Sequence, residues 1–118
     1  MVWTIYHNPR CSKSRDSLAL LRQHGIEPNV VHYLDNPPDA DTLSTLLRQL
    51  AIPARQLLRD HEPPYLTLGL ASVTDEAKLL AAIAQHPVLL QRPIISNGRR
   101  AVIGRPPENL LPLLSEAP

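Results

Sequence analysis

The sequence predicts an α/β fold, a mixed four-stranded sheet with a helical insertion between a βαβ half and a ββα half. Three observations carry this. A β-rich segment, an apolar helical stretch and a second short β segment fill the first third, while leucines at helical spacing fill the middle. Two apolar triplets flanking Asn97-Gly98 precede a final leucine-rich stretch.

Val2 to His7 alternates and is rich in β-formers until Asn8-Pro9 interrupts it, which predicts a strand ending in a loop that leads to Cys11. A helix is expected from about Ser12 to His24, with Leu18, Leu20 and Leu21 on its apolar side and Gly25 as its stop. Asn29 to Tyr33 is a second strand, and the handedness of βαβ units places it parallel to the first. Leu43, Leu46, Leu47 and Leu50 fall at i, i+3, i+4 and i+7, so an amphipathic helix starts at about Asp39 or Asp41. Pro53 suits the first turn of a short helix through Leu58, which Pro63-Pro64 ends before Tyr65. Thr74 is expected to cap a further helix that stops before Pro87, with Asp75 and Glu76 in its first turn, making the middle of the chain all helix.

Ile94–Ser96 and Ala101–Ile103 then form a hairpin across Asn97-Gly98-Arg99-Arg100, the Asn-Gly pair supplying positive φ values. Pro106-Pro107 opens a last helix with Leu110, Leu111, Leu113 and Leu114, kinked or shortened by Pro112. This is the arrangement of a thioredoxin-like sheet, with one domain over residues 1–118 and the insertion over about 39–90.

Composition narrows the function. There are 118 residues, 12 Lys and Arg against 11 Asp and Glu, and a net charge of +1. Bulk electrostatics therefore call for neither a nucleic-acid nor a membrane partner, and four aromatic residues offer few stacking platforms for single strands. No apolar run approaches the ~20 residues needed to cross a bilayer, and the N-terminus reads as a strand, so a cytoplasmic protein is expected; a monomer is expected because no apolar seam is left over once the core is filled. With one cysteine, neither an internal disulfide nor a paired-thiolate zinc site can form. His24, His32, His61 and His86 are scattered over different elements, so no metal is assigned.

Cys11 stands where the first loop enters the first helix, and a helix N-terminus offers free amides and roughly half a positive charge. Arg10, Lys13 and Arg15 crowd the same turn, which disfavours the helix unless an anion is present. That anion is a thiolate, an oxyanion substrate, or both. A buried structural cysteine beside a solvated charged face is the competing reading. Cys11 and Ser14 make C-x-x-S, so any adduct on Cys11 must be resolved by an external thiol.

Tyr6 to Arg15, His32-Tyr33-Leu34, Leu57-Leu58-Arg59, Gln91-Arg92-Pro93-Ile94-Ile95 and Ile103-Gly104-Arg105-Pro106-Pro107 together resemble the glutaredoxin-coupled arsenate reductase family, in order and over essentially the whole chain. The resemblance implies that Cys11 is the nucleophile, that Arg59, Arg92 and Arg105 surround the oxyanion, and that Pro93 is the cis proline beside the site. It further implies that His7 lies close to the cysteine and tunes its ionisation. Guanidinium groups suit the task, being always charged and donating in a plane matched to two oxygens. The Ser14 hydroxyl and the helix-start amides are candidate donors to the thiolate or oxyanion. The implied activity is reduction of arsenate to arsenite with glutathione as external reductant and glutaredoxin as partner, without a bound cofactor.

Two departures from the resistance enzymes, Cys-Ser-Lys-Ser in place of Cys-Gly-Thr-Ser and no long C-terminal tail, resemble a shorter housekeeping branch. For that branch another oxyanion or a glutathione-linked thiol oxidoreduction is the alternative. A second alternative is a non-enzymatic Spx-type stress regulator that binds RNA polymerase. Those proteins carry a C-x-x-C switch, which this chain lacks.

Overall fold

The computed structural model describes residues 2–115. Its sheet has the order β2-β1-β3-β4, formed by β1 (Thr4–His7), β2 (Asn29–His32), β3 (Ile94–Ser96) and β4 (Ala101–Ile103). β1 pairs parallel with β2 and antiparallel with β3, and β3 pairs antiparallel with β4. The arrangement is thioredoxin-like, with a βαβ half joined to a ββ half at the centre of the sheet.

Alternation along the central strands divides the interior into two cores. In register, Ile5 faces Ile95 and Tyr6 faces Ile94. Successive residues point to opposite faces, so Ile5 and Ile95 pack with Leu21, Leu110 and Leu113, while Tyr6 and Ile94 pack with Tyr33, Leu43, Leu46, Leu57, Leu79 and Ile83. The first core lies under α1 (Ser12–Gln23) and the C-terminal segment; the second lies under the insertion. Each fully buried aliphatic side chain contributes about 1.5–3 kcal/mol.

The expected βαβ unit is present, with α1 ending at Gln23 and Gly25 at φ +77°. α2 (Ala40–Leu50) is capped by Asp39, whose Oδ1 accepts from Thr42 N–H at 2.8 Å. At the far end of the chain Asn109 Nδ2 donates to the Ile103 carbonyl at 3.2 Å, which ties the C-terminal segment to β4.

Five local expectations are corrected. Ala54–Leu57 is a 3-10 turn, and Leu58 leaves it extended to pair antiparallel with Leu90, so the middle is not all helix. Pro63 and Pro64 begin α3 (Pro63–Thr67) instead of ending a helix, because the first turn has no use for their missing N–H groups. Asp75, not Thr74, caps α4 (Glu76–Gln85), its Oδ1 accepting from Ala77 N–H at 2.9 Å. In the hairpin only Gly98 has positive φ, +92°; Asn97 serves through its side chain, Oδ1 accepting from the N–H groups of Arg99 and Arg100 at 2.9 Å. Finally, Pro107–Leu110 is a 3-10 turn that passes into α5 (Leu111–Leu114), so the α-helical part is short, as expected, while Pro112 sits in its opening turn and does not kink it.

Candidate active site

Cys11 is the N-cap of α1, with extended backbone at φ −97° and ψ 121°. The Asn8-Pro9 turn sets it there, Cys11 N–H donating to the Asn8 carbonyl at 3.0 Å and Arg15 N–H to the Cys11 carbonyl at 3.0 Å. The side chain is 9% exposed. Its sulfur closes no short cap bond, yet the thiol is held below its ordinary pKa. Burial pushes it up, and the Ser14 N–H, the Arg92 guanidinium and the Lys13 N–H together outweigh burial. No acidic residue occupies the first turn of α1, so no carboxylate there competes with the thiolate for these donors.

Arg105 and Arg92 arrive from the two strands of the hairpin. Gly104 N–H donates to the Pro93 carbonyl at 2.9 Å, which brings their neighbouring residues together. Arg105 Nη1 then donates to the Arg92 carbonyl at 3.3 Å and lies 3.7 Å from Cys11 Sγ. The Arg92–Pro93 and Arg105–Pro106 peptides are both cis. Glycine is required at 104 because a Cβ would stand 2.6 Å from Ser17 Oγ, 2.8 Å from Ile95 Cδ1 and 2.9 Å from Pro93 Cγ.

The Arg92 side chain is the informative one. Its Nε and Nη1 are buried and find no acceptor among the described residues. Buried donors almost always have partners, because an unmade bond costs about 1–3 kcal/mol. Two charged donors left open beside a thiol held below its ordinary pKa fit an anion with oxygen acceptors.

Arg59 comes from the insertion by way of the Leu58–Leu90 bridge, its N–H donating to the Leu89 carbonyl at 2.7 Å while Gln91 N–H donates to the Leu57 carbonyl at 2.9 Å. The short ladder sets Arg59 close in space to the segment carrying Arg92. Its guanidinium is partnered, Nη1 lying 2.7 Å from Glu62 Oε1 and Nη2 3.0 Å from His61 Nε2.

His7 and Ser14 lie one layer behind the sulfur. His7 Nδ1 is 2.6 Å from Ser14 Oγ, which also accepts from Asn8 N–H at 3.0 Å. The Ser14 backbone N–H, not its hydroxyl, supports the thiolate; the hydroxyl is turned toward His7. His7 is held below its ordinary pKa by burial first, then by His32, Arg22 and Arg15. Parallel pairing sets His7 opposite His32, their ring centroids 5.8 Å apart.

Residues 6–113 match the model of the ArsC family. The chain belongs to the ArsC family. It is 50% identical over 93% of its length to the uncharacterized protein YfgD of Escherichia coli K12, covering 94% of that protein. To the arsenate reductase of Neisseria meningitidis serogroup A it is 47% identical, covering 90% of this chain and 92% of that one. The structure of an arsenate reductase from Vibrio cholerae superposes with a TM-score of 0.90 at 44% identity, over 95% of this chain and 97% of that one.

Two residues of this ArsC-family site escape sequence reasoning. Tyr33, the middle residue of His32-Tyr33-Leu34, is 1% exposed, and its phenol is held above its ordinary pKa chiefly by burial, with smaller influences from Arg92, Asn8, Cys11 and Glu62. Glu62 is the other. An Arg and a Glu three residues apart read as a solvated surface pair, and nothing local marks this one as half-buried at a reactive centre.

Proposed function

We propose that this ArsC-family chain is an arsenate reductase that works through a cysteine–arsenate adduct and draws its electrons from glutathione and glutaredoxin. The observation that carries the reading is Arg92: two buried guanidinium nitrogens without acceptors among the described residues, beside a thiol held below its ordinary pKa. The Neisseria and Vibrio relatives, named as arsenate reductases, support arsenate as the oxyanion.

In this mechanism the Cys11 thiolate attacks arsenic(V), an S–As bond forms, and one oxygen leaves as water. The Arg92 and Arg105 guanidinium groups neutralise the charge that develops on the remaining oxygens. The glutathione thiolate then attacks the same arsenic, a second S–As bond forms, and a second oxygen leaves as water. A glutaredoxin thiolate attacks the glutathione sulfur and breaks the glutathione–arsenic bond, whose electron pair stays on arsenic and reduces it to arsenic(III). Hydrolysis of the Cys11–arsenic bond releases arsenite and restores the thiolate. Two external thiols thus leave joined as a mixed disulfide, as a chain with one cysteine requires. No resident cofactor enters the scheme, and a cytoplasmic location supplies the reduced thiols it consumes.

The test is arsenate-dependent NADPH oxidation with glutathione, glutaredoxin and glutathione reductase supplied. Turnover is expected for the native chain and none for Cys11→Ser. An active serine variant would overturn the reading, and an inactive native chain would redirect the search to other oxyanions or to glutathione adducts.

A further inference from the structure

We propose that Glu62 is a specificity-determining residue of the oxyanion site: its carboxylate is the resident partner of Arg59, and a bound oxyanion gains that guanidinium only in competition with it. The inference rests on the oxyanion-binding reading above but not on arsenate being the oxyanion.

Glu62 Oε1 lies 2.7 Å from Arg59 Nη1, and the two side chains are only 18% and 17% exposed. With Nη2 held by His61 Nε2 at 3.0 Å, both terminal nitrogens of Arg59 are engaged, whereas Nε and Nη1 of Arg92 are open. Guanidinium recognises a carboxylate and a tetrahedral oxyanion through the same planar pair of donors. The two anions are therefore alternatives for one group.

The carboxylate also forgoes the local role its position offers. Glu62 is the N-cap of α3, where an acidic group favours the helix start, yet its side chain closes no cap bond and turns back to Arg59. The pair borders the nucleophile's surroundings, because the hydrogen bonds of Arg59 N–H to the Leu89 carbonyl and Gln91 N–H to the Leu57 carbonyl set it beside the segment of Arg92, whose carbonyl accepts from the Arg105 nitrogen that reaches Cys11. The carboxylate offsets one of the three guanidinium charges, so a ligand meets less positive charge than the three arginines carry. Such a site discriminates against dianions, and neutralising Glu62 relaxes that discrimination.

The experiment measures how well sulfate and phosphate protect Cys11 from the uncharged alkylating agent iodoacetamide. Each variant is referred to its own unprotected rate. In Glu62→Gln, half-protection by sulfate, a dianion throughout the working pH range, should need about fivefold less anion than in the native chain. Phosphate should gain less where it is largely monoanionic. If arsenate supports turnover, its KM should fall while kcat stays unchanged, a split that a merely structural role for Glu62 would not produce. Unchanged or weaker protection in Glu62→Gln overturns the proposal. Glu62→Asp keeps the charge but withdraws it from Arg59, and its protection should fall between the two. Should Glu62→Gln fail to fold, Glu62→Asp decides alone, and protection no tighter than native overturns the proposal. Failure of arsenate turnover in the native chain would remove the reductase reading while leaving the protection result standing.

Discussion

Arg105 is fastened to Cys11 from across the sheet: one nitrogen, Nη1, lies 3.7 Å from the sulfur and 3.3 Å from the Arg92 carbonyl to which it donates. The guanidinium holds the two hydrogens of that nitrogen in a fixed plane, whereas an ammonium on a flexible stem aims its donors in no fixed plane. Arg105→Lys should therefore keep the charge and lose the geometry. The expected cost is about 100-fold in kcat/KM for arsenate, with the folding midpoint in urea little changed; steady-state kinetics beside a urea titration checks both.

Arg92 is the side chain whose charge favours the ionised Cys11 sulfur. Arg92→Gln removes a cation that stabilises the thiolate but not the thiol, so the midpoint of ionisation should move upward, toward that of an ordinary cysteine. Below that midpoint alkylation by iodoacetamide should slow in proportion to the lost thiolate. A rate profile over pH is the measurement, and a profile superimposable on the native one would contradict the assignment.

His7 gives the fold a dependence on acid. Burial, followed by His32, Arg22 and Arg15, holds its pKa in the folded state below the unfolded value of 6.5. The unfolded chain therefore takes up a proton first as pH falls, and stability present above about pH 6.5 declines from there toward the folded pKa. Urea midpoints at about pH 7.5 and about pH 5.5, on either side of that value, should differ in the native chain. In His7→Gln the difference should shrink, even though loss of the Ser14 partner costs about 1 kcal/mol at both pH values.

Gly104→Ala tests the junction of α1 with the hairpin. The added carbon would collide with Ser17 Oγ, Ile95 Cδ1 and Pro93 Cγ, which belong to side chains already packed in the interior. A loss of about 1–3 kcal/mol in folding stability is expected. Because Pro93 follows Arg92, oxyanion protection of Cys11 should weaken as well.

Much of the fold and of the site is legible in the amino-acid sequence, and for local reasons. The i, i+3, i+4, i+7 leucines report an apolar helix face wherever it packs, and the loop from Asn8 to Cys11 carries its turn in its own residues. The Leu58–Leu90 bridge is different. A single pair 32 positions apart along the chain, formed outside any strand, leaves no periodic trace, so the sequence suggests that Arg59 leaves a helix when it actually follows an extended residue. The orientation of the Ser14 hydroxyl is equally hidden, because His7 on another element decides it. Glu62 is hidden because burial, not spacing, separates it from an ordinary surface pair.

The division of the interior by the sheet has an evolutionary reading. Cys11 rides on α1, which is packed against one face, whereas Arg59 and Glu62 belong to the insertion over the other. If the proposed site is right, repacking the insertion retunes which anion is admitted while the reactivity of the sulfur is left alone, and the converse holds for α1. On that reading, substrate choice and chemical potency are separately heritable in this fold, joined where the hairpin carries Arg92 and Arg105 between them.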